Sequence, residues 1–63
     1  MSEAALQQRA EFFKALGHPA RLLILRLAAE KPRHGEELAA ILGLTPATVS
    51  HHLALLSAAG LLE

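Results

Sequence analysis

The chain has 63 residues, with six Lys or Arg, six Asp or Glu, four His and no Cys. This length allows one small domain, and the lack of cysteine excludes disulfides, thiolate metal ligands and cysteine nucleophiles within the sequence. Hydrophobic residues make up 52% of the chain, and Ala and Leu, which both favour helix, are the commonest, so the sequence predicts a folded, all-α domain.

Helix breakers and capping residues divide the sequence into segments. Ser2 is a hydroxyl cap for a first helix that Gly17 ends. Pro19 opens a second helix at its first position, where the missing N–H does no harm. This second helix, which stops before Pro32, is apolar nearly all round, and we expect it to be the most buried element.

Helix-ending glycines and a capping residue also divide the second half of the chain. Gly43 closes a short third helix, and Thr45 followed by Pro46 is a strong start signal for a fourth helix, which Gly60 ends. The predicted helices cover about residues 2–16, 19–30, 36–42 and 45–59 of a single domain, 1–63, and residues 61–63 are predicted to begin a β-strand.

A short helix, a turn with glycine and a longer helix with a polar start are typical of a helix-turn-helix. Val49, Leu53 and Leu56 recur at helical spacing and mark the buried face of the fourth helix. Its outward side chains are polar or small, as a helix that enters a DNA major groove requires. The candidate DNA-binding residues of this helix are Thr45, Pro46, Ala47, Thr48, Ser50 and His51.

Two basic residues precede the third helix. Arg33 and His34 are candidate contacts to the DNA backbone, although a solvated loop without such a role fits them equally well. Arg21 either touches phosphate or pairs with a Glu of another helix. His52 is expected at the edge of the core beside Val49, with its ring hydrogen-bonded to protein.

Several stretches together resemble a known family. The run from Ala15 to Leu25 (ALGHPARLLIL) resembles the entry signature of the ArsR/SmtB, or arsenic-repressor-like, winged-helix regulators. The segments ELA at 37–39 and LGL at 42–44 resemble the first helix of its DNA-binding motif. The segments TPATVSHHLALL at 45–56 and AGLL at 59–62 are similar to its recognition helix and exit.

The resemblance implies a homodimeric repressor with a winged helix-turn-helix that reads an inverted repeat in double-stranded DNA. The wing hairpin and C-terminal dimerisation helix of the family would follow Glu63, so the wing is missing or only begun in this sequence. The thiolate inducer site of the family is missing from 36–42, which has no Cys. We expect no metal site and no cofactor, and the sequence leaves open whether a metal or small molecule acts as inducer.

The apolar content exceeds what one small core can hide, which favours burial against a second copy of the chain. The first predicted helix supplies the candidate dimer interface. Its residues are Leu6, Phe12, Phe13 and Leu16.

Two other function classes are an interaction module without DNA binding and an enzyme. A formal net charge of zero lacks the basic excess of a DNA-binding domain, which favours the alternative of a protein–protein interaction or dimerisation module. No nucleophile–base arrangement or phosphate-binding glycine loop indicates an enzyme. The longest apolar stretch is interrupted by charges, and the N-terminus lacks the features of a secretory signal, so we expect a cytoplasmic protein without membrane contact.

Overall fold

The computed structural model describes residues 2–62, and this range contains four α-helices. Their bounds are α1 Glu3–Leu16, α2 Pro19–Glu30, α3 Gly35–Leu42 and α4 Pro46–Ala58. The described range contains no β-strand, which confirms the all-α class. Leu61 and Leu62 follow α4 in irregular backbone, and Glu63 lies outside the described residues, so the strand expected at 61–63 stays a prediction.

Side-chain caps fix where the helices begin. The Ser2 hydroxyl accepts a hydrogen bond from the Ala5 N–H at 3.1 Å and starts α1. His18 Nδ1 accepts from the Ala20 N–H at 3.2 Å and starts α2. Each cap satisfies an N–H group that has no partner inside its helix. Every helix bound lies within one residue of its predicted position, because these local signals act without help from the rest of the fold.

Glycine ends α3 by a backbone route. Gly43 has φ of 67° and ψ of 32°, a left-handed conformation that only glycine adopts without a steric penalty. This turn lets the Leu44 N–H donate to the Ala39 carbonyl, which is the 6→1 bond of a Schellman motif, and the Gly43 N–H donates to the same carbonyl, as in an αL motif. The chain therefore leaves α3 at a fixed angle, and α4 begins after Thr45.

The core lies where α4 meets the two helices before it. α4 packs against both α2 and α3, and α1 packs against α2. Partly buried leucines from α2, α3, α4 and the segment after α4 surround this core. Its buried hydrophobic residues are Ala15, Ile24, Leu38, Ala39, Val49 and Leu56.

The prediction that α2 is the most buried helix is wrong. Only Arg21 and Ile24 of α2 are buried, whereas Leu22 and Leu23 are exposed. A helix can bury only the faces that its neighbours cover, and α2 has α1 and α4 packed on part of its circumference. An apolar composition on all sides therefore leaves an apolar strip on the surface.

Candidate nucleic-acid interface

The geometry of α3 and α4 is that of a helix-turn-helix. Their axes meet at 112°, and three residues, Gly43 to Thr45, connect them. Helix-turn-helix motifs join two helices at roughly 90–120° through a turn of 3–4 residues. The two helices approach closely at the start of α3, where a Cβ added at Gly35 would lie 4.0 Å from the Leu53 side chain of α4.

In outline, α4 has the two faces that its sequence pattern predicts, one apolar and buried and the other polar and exposed. Val49 and Leu56 are fully buried against α2 and α3, whereas Leu53 is half-buried. The first turns of α4 leave their polar and small side chains on the surface. All six predicted DNA-binding residues of this segment are exposed, namely Thr45, Pro46, Ala47, Thr48, Ser50 and His51.

Not all of these side chains are free to bind a ligand. The Thr45 hydroxyl accepts from the Thr48 N–H at 3.2 Å and donates to the Thr48 hydroxyl oxygen at 2.9 Å. Thr45 is therefore occupied as the N-cap of α4, and Pro46 fills the first helical position. Thr48 keeps its hydroxyl proton for a partner outside the protein. The side chains that remain open to a ligand form what we call the outward surface of α4. This surface consists of Ala47, Thr48, Ser50 and His51.

The start of α3 lies next to this surface. The Glu37 carboxylate accepts from the His34 N–H at 3.2 Å, so Glu37 caps α3 rather than only favouring its dipole. His34, Gly35, Glu36, Pro46 and Ser50 line an open groove of about 610 Å³ between the two helix starts. The structure thus brings His34 and Ser50 to one groove, although they are sixteen positions apart in the sequence.

Arg33 has a role inside the domain. Its Nε donates to the Leu27 carbonyl at 3.2 Å, and its guanidinium pairs with Glu30 at 3.1 Å. The side chain is only 13% exposed, so the interpretation of Arg33 as part of a solvated loop is wrong. The hydrogen bond from Arg33 to a carbonyl near the end of α2 holds the α2–α3 connection against that helix. Contact of Arg33 with DNA stays a prediction.

The charge distribution places no Lys or Arg side chain on the outward surface of α4. No Lys or Arg occurs from residue 37 to residue 63. Glu36 contributes a carboxylate to the groove between the helix starts. The positive electrostatics of the surface therefore come from the start of the α4 dipole and its N–H groups rather than from Lys or Arg side chains.

Residues 18–63 match the family described as "Bacterial regulatory protein, arsR family". The chain belongs to this family. The match covers the whole helix-turn-helix and confirms the resemblance seen in the sequence. Members are regulatory proteins rather than enzymes, in agreement with the expectation that the chain has no catalytic function.

Named relatives agree with this assignment. The chain is 45% identical over 60 residues to the uncharacterized HTH-type transcriptional regulator Rv0081 of Mycobacterium tuberculosis strain H37Rv, covering 94% of this chain and 53% of the relative. It is 39% identical over 62 residues to the HTH-type transcriptional regulator YgaV of Escherichia coli K12, covering 97% of this chain and 63% of that protein. The chain thus spans about half of the mycobacterial relative and less than two thirds of the Escherichia coli one. No solved structure matches the chain significantly.

Two buried side chains, His52 and Arg21, lack the contacts that the sequence predicts for them. His52 is buried, but its Nδ1 has no hydrogen-bond partner, so the ring is not anchored there as expected. Its ring lies 4.7 Å from the His18 ring, centroid to centroid. Burial, and then the nearby His18, Arg21 and His51, lower the pKa of His52 below its ordinary value near 6.5. Sequence reasoning missed the His18–His52 contact, because no local pattern relates these positions.

Arg21 was expected to touch phosphate or to pair with a Glu. It is 7% exposed and its Nε has no hydrogen-bond partner. No ion pair joins it to a carboxylate among residues 2–62, so the expected pairing with Glu is wrong. Arg21 lines a cleft together with residues of α1 and of the end of α4, and none of the predicted DNA-binding residues lines that cleft.

The remaining site predictions concern metals, membranes and dimer contacts. No group of three or more His, Asp or Glu side chains within the described range is arranged to hold a metal ion. No single helix in this range is long and apolar enough to cross a membrane, and α3 and α4 pass that test by composition only as a pair bent by 112°. On α1, Leu6 and Phe13 are exposed, whereas Phe12 and Leu16 are half-buried.

Proposed function

We propose that the chain is the DNA-binding part of a transcriptional regulator that inserts the start of α4 into a major groove of double-stranded DNA. The observation that carries this proposal is the pairing of a 112° helix crossing with an exposed, small and polar surface at the start of α4. A helix without bulky side chains at its start can approach base edges closely. The relatives named as HTH-type transcriptional regulators support the same function.

Individual side chains take distinct roles in this proposal. The Thr48 and Ser50 hydroxyls donate to base edges or phosphates, and the methyl groups of Ala47 and Thr48 suit a thymine methyl. His51 donates to a guanine or to a phosphate. Thr45 and Pro46 shape the helix start, where the dipole and the free Ala47 N–H attract a phosphate.

The backbone contacts of the proposal come from the approach to α3. His34 lies on the groove beside Ser50 and is positioned to donate to a phosphate. Arg33 contributes mainly by fixing the α2–α3 connection, because its guanidinium is already bound to Leu27 and Glu30.

The regulator acts as a homodimer in this proposal. Two copies joined through α1 place their α4 helices in successive major grooves, with half-sites about 10 bp apart in an inverted repeat. Occupancy of that DNA blocks transcription, which makes the protein a repressor, and its site of action is the bacterial cytoplasm, where the DNA lies. A winged helix is proposed for the whole protein, with its hairpin beginning near residue 61.

The test is selection of bound duplexes from a random DNA pool at low salt. We expect an enriched inverted repeat for the unmodified chain, and a loss of sequence preference for Thr48→Ala and Ser50→Ala without unfolding. Ser57→Ala is the matched control, since Ser57 is an exposed residue near the opposite end of α4, and it should select the parent sequence.

Two results would contradict the proposal. If both substitutions at the start of α4 select the same sequences as the parent, α4 does not read DNA. If the folded parent enriches no sequence at all, the domain is better explained as a protein–protein interaction module.

A further inference from the structure

A second cleft shares no lining residue with the groove between the helix starts and has no part in the proposed DNA contacts. It has a volume of about 310 Å³ and lies between α1, the start of α2 and the end of α4. We call it the α1–α4 cleft. It is lined by Glu11, Lys14, Ala15, Arg21, Leu55, Ala58 and Ala59.

Arg21 is the unusual member of this lining. It is more than nine-tenths buried, and its Nε donates no hydrogen bond. Guanidinium groups inside proteins are normally paired with carboxylates, because burial of an unpaired charge is unfavourable. Glu11 lines the same cleft, yet it forms no ion pair with Arg21 within 4.0 Å. The domain thus holds a fixed cation at the wall of a cleft and supplies no partner from residues 2–62.

The rest of the lining defines what the partner must be. Ala15, Leu55, Ala58 and Ala59 form an apolar wall, which suits a hydrocarbon group rather than a bare inorganic anion. Lys14 and Glu11 carry opposite charges, so with Arg21 the lining has one net positive charge. A ligand with a single negative charge and a short apolar body complements this combination.

We propose that the α1–α4 cleft binds a small amphipathic monocarboxylate. The carboxylate pairs with the Arg21 guanidinium, and its hydrocarbon chain lies against Ala15, Leu55 and Ala58. The cleft volume is at the lower end of the range of small-molecule sites, so a short chain fits better than a long fatty acid. Because Leu55 and Ala58 belong to the end of α4 and Ala59 follows it directly, ligand binding is linked to the helix that carries the proposed DNA surface.

Hexanoate is the probe, and binding is measured without DNA, so the result does not depend on the proposed function. Titration followed by amide chemical shifts should give saturable shifts around Ala15, Leu55 and Ala58, with a dissociation constant of about millimolar for a ligand of this size. Hexanamide, which has the same chain without charge, should bind at least about tenfold more weakly, because it loses the charge-assisted pair. Acetate should also bind more weakly, because it lacks the chain.

A matched pair of variants locates the site without touching the core. Ala58→Glu puts a carboxylate on an exposed lining residue, and Ser57→Glu puts the same group on the exposed neighbour outside the lining. Both place a negative charge in the last turn of α4, with the same unfavourable dipole effect. Ala58→Glu should abolish hexanoate binding, whereas Ser57→Glu should leave it unchanged. Glu11→Gln should strengthen binding severalfold by removing the competing carboxylate.

Arg21→Gln tests the cation directly and should weaken hexanoate at least about tenfold while leaving hexanamide unaffected. The proposal is wrong if hexanoate gives no saturable shifts, if hexanamide binds equally well, or if Ala58→Glu and Ser57→Glu behave alike. If Arg21→Gln fails to fold, the comparison of Ala58→Glu with Ser57→Glu still tests the proposal.

Discussion

His52 and Arg21 show how much a single buried polar residue depends on its spatial neighbours. Both are more than nine-tenths buried, and each has one nitrogen without a hydrogen-bond partner. The sequence predicted a partner for each, because buried polar groups are usually paired. Their actual surroundings are set by residues far along the chain, such as His18 beside His52. Local sequence carries no signal for such contacts.

The lowered pKa of His52 makes stability depend on pH. Below an ordinary His pKa near 6.5 the unfolded chain binds a proton at this position, whereas the folded chain, with the lowered pKa, does not yet bind it. The free energy of unfolding should therefore fall as pH decreases through the interval from 6.5 down to the lowered pKa. Urea unfolding at a series of pH values from 7.5 to about 5 measures this.

Substitution of the two adjacent histidines separates His52 from other titrating groups. His52→Gln should flatten the pH dependence over this interval, since Gln does not titrate. His51→Gln, at an exposed neighbouring position, should keep most of the pH dependence of the parent, because burial is the main cause of the lowered pKa of His52 and His51 makes the smallest contribution. An unchanged pH profile in His52→Gln would show that another group is responsible.

At the scale of the helices, the sequence was a reliable guide. The caps Ser2, His18 and Thr45 bind N–H groups within three residues along the chain, so their effect can be read locally. The role of Glu37 as a partner of the His34 N–H was missed, although its position three residues after the cap is a recognised signal. The exposure of the α2 side chains could not be predicted from the local sequence, because it depends on which helices pack against α2.

The turn between α3 and α4 should be sensitive to one methyl group. Gly43→Ala places a Cβ on a residue with φ of 67°, which costs about 1–2 kcal/mol for an L-residue. No atom lies within 4 Å of that Cβ, so the loss comes from the backbone alone. A fall in Tm of roughly 4–8 °C per kcal/mol is expected for a domain of this size.

Gly17→Ala is the control for this prediction. Gly17 ends α1 with φ of −78°, and its Cβ would make ordinary contacts of 3.4 Å. Thermal unfolding should show little change or a slight gain, because alanine restricts the unfolded chain more than glycine does. Equal losses in the two variants would mean that the left-handed turn is not the cause.

The whole molecule is elongated, with extents of 41 × 21 × 16 Å, and exposes large apolar side chains. Leu6 and Phe13 on α1 are 55% and 68% exposed, and Leu22, Leu23 and Ile41 are also on the surface. An apolar surface of this kind is typical of an interface. Ala15 is the only buried residue of α1, so most of this helix is available for a partner, as the proposed dimer requires.

Loss of the α1 side chains should separate the proposed dimer. The double variant Leu6→Ser and Phe13→Ser removes roughly 1.5 kcal/mol or more of burial per side chain, and the dimer dissociation constant should rise at least about a hundredfold. Ile41→Ser is the matched control, because Ile41 is 52% exposed but lies on α3. Sedimentation equilibrium distinguishes the cases, and equal effects of the two changes would argue against α1 as the interface.

The distribution of charge predicts a weak dependence of DNA binding on salt. With no Lys or Arg after residue 33, few phosphates are neutralised, and the slope of log K against log salt should be about −2 to −4 rather than the −10 of a strongly basic binder. Glu36→Gln, in the groove beside α4, should strengthen binding severalfold. Glu3→Gln, on the exposed start of α1, should not. A slope steeper than about −6 would contradict this prediction.

The sequence by itself determined the four helices, their ends and the helix-turn-helix, because caps, glycines and apolar spacing act over a few residues and leave a direct trace in the chain. It also determined which side of α4 is polar, from the recurrence of Val49 and Leu56. Only the tertiary structure decided that Arg33 is bound to the end of α2, that His18 meets His52, and that Arg21 lines a cleft without an ion pair to a carboxylate of residues 2–62. These contacts join residues on different elements, and their energies depend on distances that no local pattern specifies.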